Sequence, residues 1–216
     1  MRFIRTAFAV TAFLASVTGA GAHPHVLVDA RAEVVFDPAG EISAIRNIWQ
    51  FDEAFTAFAI QGLDADGDGE LSDAELAPLA KVNVDSLKEF DFFTFLTVGD
   101  KSIGFTPPTE YFLQFYGGRL TLFYTLPLKT PVAVDKATTL EVFDPEYFVA
   151  FNFVEDTPVT LVDAPASCGA AYQAPHELDA ETMAILSAIP ADQRDLPPAL
   201  QDAAAGLASL IRISCD

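Results

Sequence analysis

The 216-residue sequence predicts an α+β fold, a largely antiparallel β-sheet or sandwich with an inserted EF-hand-like helix-loop-helix and C-terminal helices. Three observations lead there. Apolar residues alternate with a period of two over residues 26–36; the spacing turns helical on both sides of an acidic loop at 64–75; and short β-rich runs return between 92 and 162 before an alanine-rich tail. Hydrophobic residues make up 51% of the chain, enough for a sizeable core in a single domain.

Residues 1–22 stand apart from the rest. Arg2 and Arg5 precede an apolar run, Ala7 to Val17, and Ala20-Gly21-Ala22 offers the small residues that a signal peptidase requires. The run is too short to span a bilayer comfortably, so a cleaved secretory signal is expected, followed by one domain over 23–216 with no stable membrane insertion. In an exported chain the two cysteines, Cys168 and Cys215, predict a disulfide that ties the C-terminus to the body.

In the mature chain, Val26, Val28, Ala30, Ala32, Val34 and Phe36 share one face of a strand, and Leu27, Asp29, Arg31 and Glu33 share the other. Asp37-Pro38-Ala39-Gly40 is a turn signal, so 41–49 reads as the returning strand of a hairpin. Phe51, Phe55, Phe58 and Ala59 then follow the helical period, opening a helical insertion at 51–90. Its second helix is expected over 73–89, with a kink or break at Pro78. Strands are expected at 92–98, 111–116, 119–126, 139–143, 147–153 and 159–162, with Gly117-Gly118 as a tight hairpin turn between two of them. Residues 170–216 read as a helical tail, with helices at 179–188 and 198–210 separated by prolines.

Formal charge is −19, and loss of two arginines with the leader makes the mature chain more acidic still. Such a field repels nucleic acid and anionic lipid and attracts cations. The strongest cation signal is DADGDGELSDAE, Asp64 to Glu75. A calcium loop of the EF-hand type needs oxygen ligands at positions one, three and five, glycine at six, a backbone carbonyl at seven and a carboxylate at twelve. Asp64, Asp66, Asp68, Gly69, Glu70 and Glu75 fill those places; Ser72, at nine, reaches the ion directly or through water. Leu71 is the apolar position that docks the loop, and Ser72 with Glu75 forms a capping box for the exiting helix. Calcium is the expected ion and magnesium the weaker alternative. A lone loop suits a structural role better than a paired sensor.

Two of the three histidines flank a proline in HPH. Cleavage after Ala22 would make His23 the first residue, and Pro24 would hold an extended backbone that places His23 and His25 on one side at a spacing of about 6.6 Å. Pro24 also lacks the amide hydrogen that a square-planar copper or nickel chelate through backbone nitrogens would lose. An imidazole site for zinc, nickel, cobalt or copper is therefore expected. His176 is a candidate third ligand, and Asp29, Asp52, Glu53 and Asp144 are candidate carboxylates. Asp29 is disfavoured because four residues of strand separate it from His25 by about 13 Å.

HPHVLVDA after the leader, WQFDEAFTAFAIQGLDADGDGELSDAELAPLA, EFDFFTFL, GGRLTLFYTLPL, VFDPEYFVAF and the closing IRISC together resemble the bacterial DUF1007 family. The resemblance runs from His23 to Cys215. It implies an exported, periplasmic protein, described for that family as a component of an uncharacterised ABC-type or nickel/cobalt-type transport system. The expected function is metal handling beside an inner-membrane permease, with a separate structural calcium site. A copper enzyme using an N-terminal histidine and a calcium-stabilised partner-binding module are the alternatives. No Ser/His/Asp or Cys/His grouping in the sequence suggests hydrolysis, and no catalytic residue is assigned.

Overall fold

A computed structural model describes residues 24–190 and 196–216. The leader read at residues 1–22 and the candidate ligand His23 lie outside the described residues. Among the described residues no helix is long and apolar enough to cross a membrane.

The N-terminal hairpin is formed by β1 (Val26–Phe36) and β2 (Ile42–Phe51), paired antiparallel from Val28↔Phe51 to Phe36↔Ile42 with an irregularity between Val35 and Phe36. Every even position of β1 is buried, as the alternation requires. After α1 (Glu53–Ala59) and α2 (Asp73–Leu87), the chain makes β3 (Thr94–Val98), β4 (Lys101–Ile103), β5 (Tyr111–Tyr116) and β6 (Arg119–Val132). Then follow β7 (Thr138–Val142), β8 (Val149–Phe153), β9 (Val159–Val162), β10 (Cys168–Gln173), α3 (Ala180–Ser187), α4 (Pro198–Ala205) and β11 (Ser209–Cys215).

Two sheets share one buried core. The larger has the order β5-β6-β2-β1-β8, with β9 also on β1, and the smaller has the order β10-β11-β7-β3-β4. Pairing is antiparallel except where β8 and β9 lie parallel to β1. The β5–β6 turn has positive φ at both central residues, Gly117 at 60° and Gly118 at 82°, as a two-residue hairpin with right-handed strands demands. Arg119, just beyond it, donates from Nε to the Phe51 carbonyl (2.6 Å), from Nη2 to the Gln50 carbonyl (3.2 Å) and from Nη1 to Asp29 (2.7 Å). One side chain thereby fixes β6 to the end of β2 and to β1.

Three expectations need correction. Helix α2 runs unbroken through Pro78. The carbonyl deprived of its partner belongs to Ala74, near the start of the helix, where Ala74 and Pro78 are both exposed and water can take the bond. The tail is not purely helical: β10 and β11 pair with one another, and α3 and α4 lie between them, closing a small second cluster around Leu186, Leu196 and Leu200. The strand expected at 92–98 starts only at Thr94, because Asp91, Phe92 and Phe93 take left-handed φ values of 50°, 55° and 48°. Left-handed backbone costs an L-residue roughly 1–2 kcal/mol, and here surrounding bonds hold it. The Phe92 carbonyl accepts from the Tyr124 phenol (3.1 Å) and the Thr94 hydroxyl (2.8 Å), and the Phe93 carbonyl accepts the Phe143 amide (3.1 Å). Burial pushes the Tyr124 phenol well above its ordinary pKa, so it stays a neutral donor. The expected disulfide is present: Cys168 and Cys215 face each other at the end of the β10–β11 ladder.

Candidate metal centre

The acidic loop hangs between α1 and α2. Asp52 caps α1 by accepting the Phe55 amide (2.8 Å), and buried Thr56 accepts the Leu120 amide (3.1 Å), anchoring this short helix to β6. Helix α1 ends at Ala59, so residues 60–63 form a turn before the first ligand position. On the other side, Leu76, Ala80 and Val84 make one buried stripe along α2, the spacing expected of a helix lying on a core. Leu71 packs against the same core. Both ends of the loop are therefore fixed by burial; its candidate ligand residues are exposed except Glu75, which is half-buried.

Within the loop the carboxylates organise the backbone. Asp64 accepts the amides of Gly67 (2.8 Å) and Gly69 (3.1 Å), Asp66 accepts that of Asp68 (3.2 Å), and Asp68 accepts that of Glu70 (2.8 Å). Gly67 and Gly69 have φ of 75° and 84°, and the turn at the sixth position needs that freedom. Carboxylate oxygens of Asp64, Asp66 and Asp68 all come within 4.8 Å of one another. Glu75 reaches back across the loop: one oxygen accepts the Ala65 amide (2.7 Å), the other the amide (2.9 Å) and hydroxyl (2.8 Å) of Ser72. With the Ser72 side chain accepting the Glu75 amide, the capping box is complete. The Ser72 backbone and hydroxyl donors and the Ala65 amide hold the Glu75 carboxyl down at about 2 from its ordinary 4.5. This hard-oxygen set fits calcium. Glu70 would enter it through its carbonyl.

The histidine reading has a different outcome. His25 precedes β1, donates its backbone amide to the Phe148 carbonyl (2.8 Å) and places its ring 4.7 Å from the Phe148 ring. Asp144 is buried and accepts the amides of Glu146 (2.9 Å), Phe148 (3.0 Å) and Val149 (2.9 Å). His25 and Asp144 thus attach to opposite sides of the same peptide segment, brought together by the parallel β1–β8 pairing. Asp52 also sits at this end, exchanging bonds with Leu27 through its carboxylate (2.8 Å) and its amide (2.9 Å). Asp29 is engaged by Arg119, and Glu53 is exposed in the first turn of α1. His176 is exposed, its amide bonded to the Gly206 carbonyl (3.2 Å). Among the described residues, no three of these side chains come within 4.8 Å of one another.

The site has one part that motif reading missed. Asp144 does more than offer a carboxylate, because it shapes the 144–149 turn on which His25 rests. The signal was local, in the Asp-Pro-Glu sequence that starts such turns.

The family model for a protein of unknown function, DUF1007, matches residues 8–215. An uncharacterised 15.5 kDa protein in the trpE 3′ region of Spirochaeta aurantia is 33% identical over 104 residues, 45% of this chain and 70% of its own length. An uncharacterised protein of Haemophilus influenzae is 23% identical over 180 residues, 82% of this chain and 84% of its own.

Proposed function

The chain belongs to the DUF1007 family, and from that premise we propose that it is a periplasmic metal-handling protein. In this reading it holds or presents a transition-metal ion of the zinc, nickel or cobalt type to an inner-membrane permease. The Asp64 to Glu75 loop binds calcium as a separate structural site. The observation that carries the reading is the convergence of Asp64, Asp66 and Asp68, with Glu75 folded back across the loop between two elements anchored in the core. Calcium there would fasten α1 to α2 and supply no chemistry. Just before β1, His25 rests on the turn shaped by Asp144, and His23 is the proposed second imidazole ligand. Acidic net charge supports the reading further by concentrating cations around the protein.

Calorimetric titration with zinc, nickel, cobalt and copper tests the transition-metal site in three proteins: one that begins at His23, its His25→Ala variant, and one with an extra residue before His23. Binding at one site in the first and loss of at least about tenfold in His25→Ala is the expected result, with affinity weakening as acid protonates imidazole. Equal loss in the extended form would bring the terminal amine into the site and favour copper chemistry. Unchanged affinity in both altered proteins would refute ligation by these histidines.

A further inference from the structure

A cavity of about 370 Å³ lies between the inner face of β1, β2 and β8 and the C-terminal end of α2. An apolar cavity of roughly 150 Å³ is enough to take up benzene, and small-molecule sites run from roughly 300 to 1,000 Å³. The deepest residues on its wall are buried and apolar: Val28, Trp49, Phe93, Leu122 and Phe151. Aromatic rings form a connected surface there, with centroids 5.1 Å apart for Phe90 and Phe93, 5.6 Å for Phe93 and Phe151, and 4.6 Å for Phe151 and Trp49. Phe55, Leu87, Phe90 and Phe148 also line the cavity and are only half-buried, so apolar surface continues to the opening.

The acidic, amide and hydroxyl groups on the wall are already engaged or solvated. Asp144 accepts three backbone amides, and Glu146 also has its partner within the protein. Asn83 donates to the Leu79 carbonyl (2.9 Å), Ser86 donates to the Val82 carbonyl (2.9 Å), and Glu89 is exposed to water. These groups therefore require nothing from a ligand. An anion would in addition meet Glu89 and the acidic field of the whole chain. What the cavity offers is shape and apolar area, and filling it takes the half-buried aromatic surface out of water.

From this combination we propose that the cavity binds a neutral apolar small molecule the size of two or three rings. Its volume is more than twice that of the benzene-binding cavity, which sets the size. Its ring-lined wall allows offset or edge-to-face contact with aromatic parts of the ligand. The site stands apart from the metal reading, because its apolar wall needs no ion.

N-phenyl-1-naphthylamine, uncharged at neutral pH and brighter in apolar surroundings, is the probe, and 8-anilinonaphthalene-1-sulfonate carries the same rings with a negative charge. The intact protein should bind the neutral probe saturably at one site, at least about tenfold more tightly than the sulfonate. Leu87→Glu places a charge on the half-buried wall, and Phe55→Glu does so from the other helix. Each, with its fold checked by circular dichroism, should weaken the neutral probe at least about tenfold. Val82→Glu, at an exposed position of α2 outside the lining, should leave it unchanged. Equal or tighter binding of the sulfonate, uptake that does not saturate, full affinity in both wall variants, or an equal loss in Val82→Glu would each overturn the proposal.

Discussion

Replacing both cysteines, Cys168→Ser with Cys215→Ser, should lower the melting temperature by roughly 8–16 °C. The bridge spans 47 residues of sequence, and closing a loop of that length restricts the unfolded chain by an amount worth about 4 kcal/mol; each kcal/mol moves the midpoint of a domain this size by about 2–4 °C. The loss should be concentrated in one region. Strand β10 is an edge strand held by β11, and α3 and α4 lie inside the closed loop. Hydrogen exchange should therefore accelerate first in β10, α3 and α4 and last in β1 and β2. A scan of the wild type with and without reductant gives the check, and identical midpoints would show that the bridge adds no stability.

Saturating calcium should raise the melting temperature by roughly 5–11 °C. An ion that binds only the native state, at 100 times its dissociation constant, stabilises it by about 2.7 kcal/mol, and the same conversion applies. Glu75→Gln should abolish most of the shift, while Asp73→Asn, outside the ligand set, should keep it. Without calcium the Glu75 carboxyl has its own acid signature. Its folded pKa is depressed from 4.5 to about 2, so its contribution is fully present above 4.5 and disappears as pH falls through about 2. Glu75→Gln should flatten that part of the acid-unfolding curve. A wild type whose melting ignores both calcium and chelator would reduce the loop to a capped acidic turn.

How much could be read from the sequence depended on how far apart the determinants lie along the chain. Strand β1 was legible because one face is buried and the other is not, so its pattern alternates without error. The hydrogen-bonded acidic turn and its capping box were legible because their residues all fall within the short stretch from Asp64 to Glu75. Strand β11 was not recognised, although Ser209, Ile211 and Ile213 alternate inward; the alanine-rich run ahead of it extended the helical reading past Gly206. The left-handed turn at Asp91–Phe93 had no usable signal, since nothing favours phenylalanine at positive φ and the bonds that hold it come from Tyr124 and Phe143, far along the chain. The juxtaposition of His25 with Asp144, and the aromatic cavity beside it, depend on parallel pairing that no local pattern announces.

That parallel pairing also sets an order of events during synthesis. Among the described residues β1 is the first element made, and β2 can cover one of its edges almost at once. The other edge waits for Val149–Phe153 and Val159–Val162. Throughout translation of the segment between, a long apolar strand keeps an open row of amides and carbonyls, the kind of edge that templates pairing with another chain. Closure of the larger sheet therefore waits until Val162 has been made, governed by slow non-local pairing rather than by local helix or hairpin formation. Nascent chains of this protein should need a holding chaperone until β9 has emerged.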